Sequence, residues 1–160
     1  MLKNIFCIAI CTRGRLELLS DCLISIADEI TDVGGGHSIV VVENDSQPQS
    51  AVVVSDIRTK YPKLDISYCM EPKLGISSAR NRALAFGLAS KADWIAFIDD
   101  DEVMAAGWLR AMLRAAKTMD AEVLTGPVSY RNELQPIWMC DANVKDGVIQ
   151  GHRGGVKVGQ

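Results

Sequence analysis

Three consecutive aspartates, Asp99, Asp100 and Asp101, follow the apolar run 94–98, and Glu102 comes directly after them. Adjacent carboxylates repel one another, so a fold gains nothing from this arrangement unless a cation lies among them. Oxygen ligands of this kind suit Mg²⁺ or Mn²⁺, and either ion also binds the phosphate oxygens of a substrate. The triplet therefore predicts a divalent-metal site that takes a phosphorylated ligand.

The triplet also has a structural interpretation. Asp100 or Asp101 would then cap the helix that follows, and Glu102 would be a solvated neighbour. One acidic residue fits that role well, whereas four in a row fit it poorly. We therefore favour the metal site.

Two further polar clusters follow apolar runs, and each has two interpretations. Thr12 and Arg13 come after the first run, where Arg13 and Arg15 would either contact a phosphate or lie in solvent. Glu43, Asn44 and Asp45 come after the second run, and their planar donors and acceptors match the edge of a nucleotide base. The alternative for this second cluster is an ordinary turn closed by an Asn or Asp side chain.

Arg80 and Asn81 fall in the first turns of a predicted helix that follows Gly75. The amino-terminus of a helix attracts anions, and the guanidinium of Arg80 adds a fork of donors for a diphosphate. The alternative is an exposed polar face formed by Arg80, Asn81 and Arg82.

The pattern of apolar residues predicts the elements that position these clusters. Short apolar runs predict buried strands at residues 5–10, 39–42, 64–69, 94–98 and 123–124. Helical spacing of apolar residues predicts helices over 15–28, 50–60, about 77–90 and 107–119, with Ser77 or Ser78 capping the third. Because strands and helices alternate, we expect an α/β fold, a mostly parallel sheet flanked by helices on both faces.

The polar clusters share one position in this predicted fold. In an open parallel sheet, ligands bind beyond the carboxyl ends of the strands. The clusters at Thr12, at Glu43, before Arg80 and at Asp99 all follow predicted strands. They are therefore expected at one edge of one sheet, where they would form a single site.

The chain has 160 residues, which is enough for one domain with a real core. We expect that domain to cover residues 1–145. Residues 146–160 contain five glycines and little apolar periodicity, so we expect a flexible tail there.

Composition narrows the function classes. The formal net charge is -3, which does not favour nucleic acid as a partner. The five cysteines are odd in number and have no C-x-x-C spacing, so neither a disulfide framework nor a zinc site is indicated. His37 and His152 have no ligand partners at metal spacing. We see no signal peptide and no apolar run long enough to span a bilayer, so we expect a cytoplasmic protein.

Four segments together resemble family-2 glycosyltransferases of the GT-A type, in the order and at the spacing of that family. Residues 11–13 resemble the family's C-T-R start, and residues 41–46 resemble its V-V-D-N/D-x-S segment. Residues 75–81 are similar to its G-x-s-x-A-R-N segment, and residues 94–102 to its W-I-x-F-x-D-D-D strand and metal motif. The resemblance covers roughly residues 5–130.

The resemblance implies a GT-A (Rossmann-like) fold and a site for a nucleotide-diphospho-sugar, with a UDP-sugar favoured. The implied substrate-binding residues are Thr12, Arg13, Glu43, Asn44, Asp45, Arg80, Asn81, Asp99 and Asp100, and the implied metal ligands are Asp99 and Asp101. Thr12, Glu43 and Asn44 would lie against the base. Arg80 would lie near the base or the diphosphate.

The resemblance also implies a reaction. A divalent cation, Mg²⁺ or Mn²⁺, would neutralise the charge that builds on the departing nucleoside diphosphate. A hydroxyl of a glycan or lipid acceptor would attack the anomeric carbon from the opposite face and invert its configuration. Such enzymes often build cell-surface polysaccharide, so the chain would be cytoplasmic or peripheral at the inner face of the cell membrane. Whether the chain forms a homodimer is left open, since a second copy would cover any apolar surface exposed at the edge of the sheet.

Two departures from the family pattern affect the predicted activity. The family usually has Asp at the positions of Glu43 and Asn44, so the identity of the base is open. The family's general base lies in an acidic pair far downstream, and Asp141 and Asp146 have no acidic neighbour. We therefore name no catalytic residue in this chain, and expect either a fragment of a longer enzyme or a natural truncation.

Three functions stay open at this point. The first is metal-dependent sugar transfer from a nucleotide donor. The second is a binding or assembly module with the same fold, which would bind nucleotide without turnover. The third is a nucleotidyltransferase, which usually carries a Gly-rich basic signature after its first strand. Residues 12–15 contain a single glycine, so we rank this function last.

Overall fold

A computed structural model describes residues 4–128 with their side chains and residues 154–157 as backbone. Ten elements follow one another along the chain: β1 (Phe6–Thr12), α1 (Leu16–Val33), β2 (Ser38–Glu43), α2 (Ala51–Lys60), β3 (Asp65–Met70), α3 (Ile76–Ala89), β4 (Trp94–Asp99), α4 (Trp108–Thr118), β5 (Val123–Thr125) and β6 (Gly154–Lys157). The predicted alternation of strands and helices is confirmed over residues 6–125.

The strands form one sheet in the order β3-β2-β1-β4-β6-β5. The first four strands of this order are parallel to one another, whereas β6 is antiparallel to both β4 and β5. The sheet is therefore mostly parallel, as predicted. No helix among the described residues is both long enough and apolar enough to cross a membrane.

Helices cover both faces of the sheet, as the alternation predicted. The larger core lies on one face, where α1, α2 and α4 contribute side chains such as Leu23, Ile57 and Leu109. The smaller core lies on the opposite face, where Ala79 and Ala83 of α3 pack against the sheet. Successive residues of a strand point to opposite faces, so the apolar runs fill both cores.

Helix α3 packs very closely on the sheet because its buried face carries small residues. Ala79, Ala83 and Gly87 recur at intervals of four and are the buried residues of this helix. A Cβ atom added at Gly87 would lie 2.4 Å from Cδ1 of Ile95, so a side chain here would displace that of Ile95. This close approach sets the distance between the sheet and α3, the helix that carries Arg80.

Two helix ends differ from the sequence prediction. Helix α1 continues past residue 28 to Val33, since Glu29 and Ile30 extend its buried face. Gly34 then ends the helix with a φ of 69°, a conformation that favours glycine, and its N–H donates to the carbonyl of Ile30 at 2.8 Å. Helix α3 begins after Gly75, and its cap has no side-chain hydrogen bond, so the predicted cap at Ser77 or Ser78 was wrong.

The predicted tail over residues 146–160 contains a strand that the sequence did not predict, at Gly154–Lys157. These residues form β6, which pairs with both β4 and β5. Backbone hydrogen bonds form this strand, and its glycine-rich sequence lacks the apolar pattern from which a strand could be predicted. The rest of that segment, and the proposed boundary at residue 145, lie outside the described residues.

Candidate active site

The carboxyl ends of the four parallel strands lie side by side at one edge of the sheet. Thr12 at the end of β1 pairs with Glu43 at the end of β2, and Glu43 pairs with Met70 at the end of β3. On the other side of β1, Cys11 pairs with Asp99 at the end of β4. The register thus brings the polar clusters that follow these strands to one place, as the sequence predicted.

A cavity of about 480 Å³ opens at this edge. It is lined by Thr12, Arg13, Asn44, Arg80, Asp99, Asp100 and Asp101, all of which were predicted as site residues. Cys11, Arg15, Ile76 and Ala79 complete the lining. Three predicted site residues, Glu43, Asp45 and Asn81, do not line this cavity.

The acidic triplet lies in a tight turn that closes on itself. The N–H of Glu102 donates to the carbonyl of Asp99 at 3.0 Å, and the N–H of Asp99 donates to Oε2 of Glu102 at 3.1 Å. The next helix, α4, begins only at Trp108, after Gly107. Neither Asp100 nor Asp101 caps it, so the structural alternative for the triplet does not hold.

Asp100 is the buried member of the triplet and both of its oxygens accept hydrogen bonds. The hydroxyl of Thr12 donates to Oδ2 at 2.7 Å, and Nη1 of Arg15 donates to Oδ1 at 3.1 Å. The same nitrogen of Arg15 lies 3.2 Å from Oδ2 of Asp101. Arg15 therefore offsets part of the repulsion between these two carboxylates.

Arg80 serves the third carboxylate in a similar way. Its Nη2 atom lies 3.4 Å from Oδ1 of Asp99, and its guanidinium lies over the ring of Phe97 at 5.9 Å from the ring centre. The side chain of Arg80 is 46% exposed and that of Asp99 is 32% exposed, so both remain open to a ligand in the cavity.

The carboxylates of the triplet suit a divalent cation that takes some of its ligands from the protein and the others from a phosphorylated substrate. No group of three or more His, Cys, Asp or Glu side chains in the described residues is arranged to hold a metal ion by itself. Mg²⁺ in phosphoryl sites commonly uses one or two carboxylates and takes its other ligands from phosphate and water. The side chain of Asp101 is 49% exposed and that of Asp99 is 32% exposed, which matches such an open site.

Glu43 is buried beside the cavity and serves the fold. Its Oε2 atom accepts hydrogen bonds from the N–H of Ser50, at 2.8 Å, and from the hydroxyl of Tyr68. Burial, reinforced by this carboxylate, raises the pKa of Tyr68, so its hydroxyl remains a donor. Glu43 thus ties the end of β2 to β3 and to the start of α2.

Asn44 lines the cavity but its carboxamide is turned to the protein. Its Nδ2 atom donates to the carbonyls of Glu71 and Lys73, each at 2.8 Å, and its Oδ1 atom accepts from the N–H of Gly75 at 2.8 Å. The residue links β2 to the loop between β3 and α3.

Asp45 and Arg13 form an exposed ion pair, with Nε of Arg13 at 3.3 Å from Oδ2 of Asp45. The N–H of Ser46 donates to Oδ1 of Asp45 at 2.6 Å, and this bond, together with Arg13, lowers the pKa of Asp45. Asn81 is exposed on α3. Of the three residues Arg13, Asp45 and Asn81, Arg13 is the one that lines the cavity.

Sequence reasoning left four lining residues out of the predicted site. Arg15 was considered as a phosphate contact together with Arg13, but only Arg13 was included in the predicted site. Cys11 is the last residue of β1 on the α3 side, and burial raises its pKa to about 11, so it lines the cavity as a neutral thiol. Ile76 and Ala79 belong to the first turn of α3 and had no chemical signal.

Comparison with curated proteins finds a relative of known role. The chain is 31% identical over 153 residues to the succinoglycan biosynthesis protein ExoM of Rhizobium meliloti (strain 1021). The match covers 95% of this chain and 48% of the relative, so the chain spans about half the length of that protein.

Comparison with solved structures finds the same fold in a mannosyltransferase and in a protein solved with UDP. The mannosyltransferase PcManGT from Pyrobaculum calidifontis, solved with GDP-Man and Mn²⁺, matches with a TM-score of 0.65 at 17% identity, over 76% of this chain and 35% of that one. TarS 1-349 of S. aureus, solved with UDP, matches with a TM-score of 0.62 at 20% identity, over 81% of this chain and 38% of that one. These likenesses support the GT-A-like α/β fold.

The sequence profile described as "Glycosyl transferase family 2" matches residues 7–152, which include all four segments that carried the resemblance. The fold, the cavity at the strand ends and this match agree. The chain belongs to glycosyl transferase family 2.

Proposed function

We propose that this chain forms the donor site of a glycosyltransferase that acts in polysaccharide or other glycan synthesis. It binds a nucleotide-diphospho-sugar, with a UDP-sugar favoured, together with Mg²⁺ or Mn²⁺. The sugar passes to an acceptor hydroxyl with inversion at the anomeric carbon. The observation that carries this proposal is the cavity where three arginines and the acidic turn meet at the carboxyl ends of parallel strands.

The charges around the cavity support a diphosphate ligand with a cation. Arg15 and Arg80 provide donors suited to phosphate oxygens. Asp99 and Asp101 provide hard oxygen ligands on the same wall. A diphosphate would be repelled by this acidic turn unless a divalent cation lay between them, and such a cation offsets charge on the leaving nucleoside diphosphate.

The remaining lining residues suit the nucleoside. Thr12 and Asn44 form the wall at the ends of β1 and β2, against which we place the base. Ile76 and Ala79 add an apolar surface from the first turn of α3. Glu43, Asp45 and Asn81, which were first assigned to substrate, have no place in this assignment because they lie off the cavity.

The known relatives support the same class of donor. The matching structures were solved with GDP-Man and Mn²⁺ in one case and with UDP in another. The relative from Rhizobium meliloti is named for succinoglycan biosynthesis, so we extend polysaccharide synthesis to this chain. The proposal locates the reaction in the cytoplasm or at the inner face of the cell membrane. It assigns no general base, because neither Asp141 nor Asp146 belongs to an acidic pair of the kind that the family uses.

A thermal-shift panel tests the donor class. UDP, GDP and their sugar conjugates would each be added with Mn²⁺, with Mg²⁺ and with a chelator. Ligand at about 100 times its Kd stabilises a folded protein by about 2.7 kcal/mol, which raises Tm by several degrees. We expect this rise for UDP ligands with a cation. No rise with any nucleotide would reject the proposal, and a rise with GDP ligands alone would correct the base.

A further inference from the structure

The carboxamide of Asn44 has no hydrogen left to offer a nucleotide. An Asn side chain has two amide hydrogens, and here they go to the carbonyls of Glu71 and Lys73, each at 2.8 Å. Its oxygen accepts from the N–H of Gly75 at 2.8 Å. The residue is 8% exposed, so the amide is held inside the protein.

The backbone of Asn44 joins the other side of the site. Its N–H donates to the carbonyl of Thr12 at 2.9 Å, beyond the last paired residues of β1 and β2. One residue thus contacts the end of β1 through its backbone and the loop before α3 through its side chain. Thr12 and the first turn of α3 both line the cavity, so Asn44 connects two parts of its wall.

The start of α3 depends on this connection. Gly75 precedes the helix with a φ of 127°, a conformation that favours glycine, and its carbonyl accepts from the N–H of Ala79 at 3.2 Å. The cap position of α3 forms no side-chain hydrogen bond. The bond from Gly75 to Asn44 therefore anchors the loop immediately before the turn that carries Arg80.

We propose that Asn44 is a positioning residue, which holds the loop 71–75 so that Arg80 faces the cavity, and that it does not read the base. The proposal rests on the proposed function, because it assumes that Arg80 binds the diphosphate. It also accounts for an amide rather than a carboxylate here. A carboxylate of the same size would lose both donated bonds and would face the carbonyls of Glu71 and Lys73.

A double-mutant cycle on UDP affinity tests the link to Arg80. The variants are Asn44→Asp, Arg80→Ala and the pair, each titrated with UDP in the presence of Mn²⁺. We expect Asn44→Asp to weaken UDP about tenfold in the wild-type background and less than twofold in the Arg80→Ala background. Equal losses in both backgrounds would overturn the proposal. Gln47→Glu adds the same charge in the exposed loop after β2 and should change nothing.

Amide hydrogen exchange tests the hold on the loop without any nucleotide. In Asn44→Ala, the N–H of Gly75 loses its acceptor, so we expect it to exchange at least tenfold faster, with α1 unchanged as the internal reference. Unchanged exchange at Gly75 would overturn the proposal. If the wild-type chain bound no UDP, the proposed function would fail, whereas this exchange result would still decide whether Asn44 holds the loop.

Discussion

Thr12 and Asp100 are 88 residues apart in sequence and share a buried hydrogen bond of 2.7 Å between the Thr12 hydroxyl and Oδ2 of Asp100. The bond ties the end of β1 to the acidic turn after β4. Arg15 donates to the other oxygen of Asp100 at 3.1 Å, so each oxygen of this buried carboxylate already accepts a hydrogen bond within the protein. Asp100 is thus the most firmly held member of the triplet, and its neighbours Asp99 and Asp101 are the more exposed members.

This bond predicts a stability effect at Thr12. Thr12→Val keeps the shape and removes the hydroxyl, which leaves a buried carboxylate oxygen without its donor. We expect a loss of about 1–3 kcal/mol in the free energy of unfolding, measured by urea titration. Thr12→Ser keeps the hydroxyl and should retain most of the stability. Equal stability of the Val variant and the wild type would show that the bond contributes nothing.

We expect the side chain of Arg80 to contribute to the affinity for UDP and not to folding. Arg80→Ala removes donors that the proposal assigns to the diphosphate, and hydrogen bonds to charged groups contribute about 1.5–3 kcal/mol. We expect UDP to bind roughly ten- to a hundredfold more weakly in the presence of Mn²⁺. The control is Arg82→Ala, which removes a second exposed arginine of α3 that lies off the cavity.

The Arg80 experiment is read by circular dichroism together with calorimetry. A folded Arg80→Ala variant with wild-type affinity would remove Arg80 from the diphosphate site. Loss of folding in this variant would instead assign Arg80 to the fold, through its contacts with Asp99 and Phe97.

His37 predicts a pH dependence of stability at the opposite edge of the sheet. Its Nδ1 atom accepts the N–H of Phe6 at 3.1 Å, and burial lowers the pKa of His37 below its ordinary value of 6.5. The unfolded chain therefore binds more protons than the folded chain just below pH 6.5. The stability that the neutral ring provides is present above that pH and is lost as the pH falls.

Urea unfolding at pH 7.5 and pH 5.5 measures this contribution. We expect the wild-type chain to lose stability at the lower pH, and His37→Asn, whose side-chain oxygen can accept the same N–H, to lose less. A variant that loses as much as the wild type would show that the pH dependence comes from other groups.

The fold could be predicted in large part because its signals are local. The apolar runs of β1, β2 and β4 have the length and continuity of strands buried on both faces, and polar residues follow each one directly. Parallel connection then forces those polar residues to one edge. The cavity position followed from this rule alone, before any side-chain orientation was known.

The polar cluster did not reveal the role of Glu43, but the alternation of residues along β2 indicates the face of the sheet to which Glu43 points. Ile39 and Val41 of β2 belong to the core on the α1 and α2 side, and Glu43 has the same parity. It therefore points beneath the start of α2, where the N–H of Ser50 meets it. The cluster was predicted to contact a base because that prediction did not ask to which face of the sheet each residue points.

The start of α4 was predicted to within one residue, but the side chain that caps this helix could not be predicted. The carboxylate of Glu29, on α1, accepts the N–H groups of Gly107 at 2.7 Å and Leu109 at 2.9 Å. The partners are 78 and 80 residues away in sequence, so no local pattern reveals the cap. Strand β6 was missed for the same reason, since its partners are distant strands.

The central claim is that a nucleoside diphosphate binds this cavity through a divalent cation. Calorimetric titration of UDP into the wild-type chain, with and without Mn²⁺, tests it most directly. Asp101→Asn serves as the site variant, and Asp56→Asn, which makes the same change on the exposed face of α2, serves as its control.

The account predicts binding of UDP to the wild type and to Asp56→Asn in the presence of Mn²⁺ only, and loss of that binding in Asp101→Asn. Binding that ignores Mn²⁺, or that survives unchanged in Asp101→Asn, would contradict the metal assignment. Absence of binding to the wild type, with GDP as well as UDP, would contradict the donor site itself.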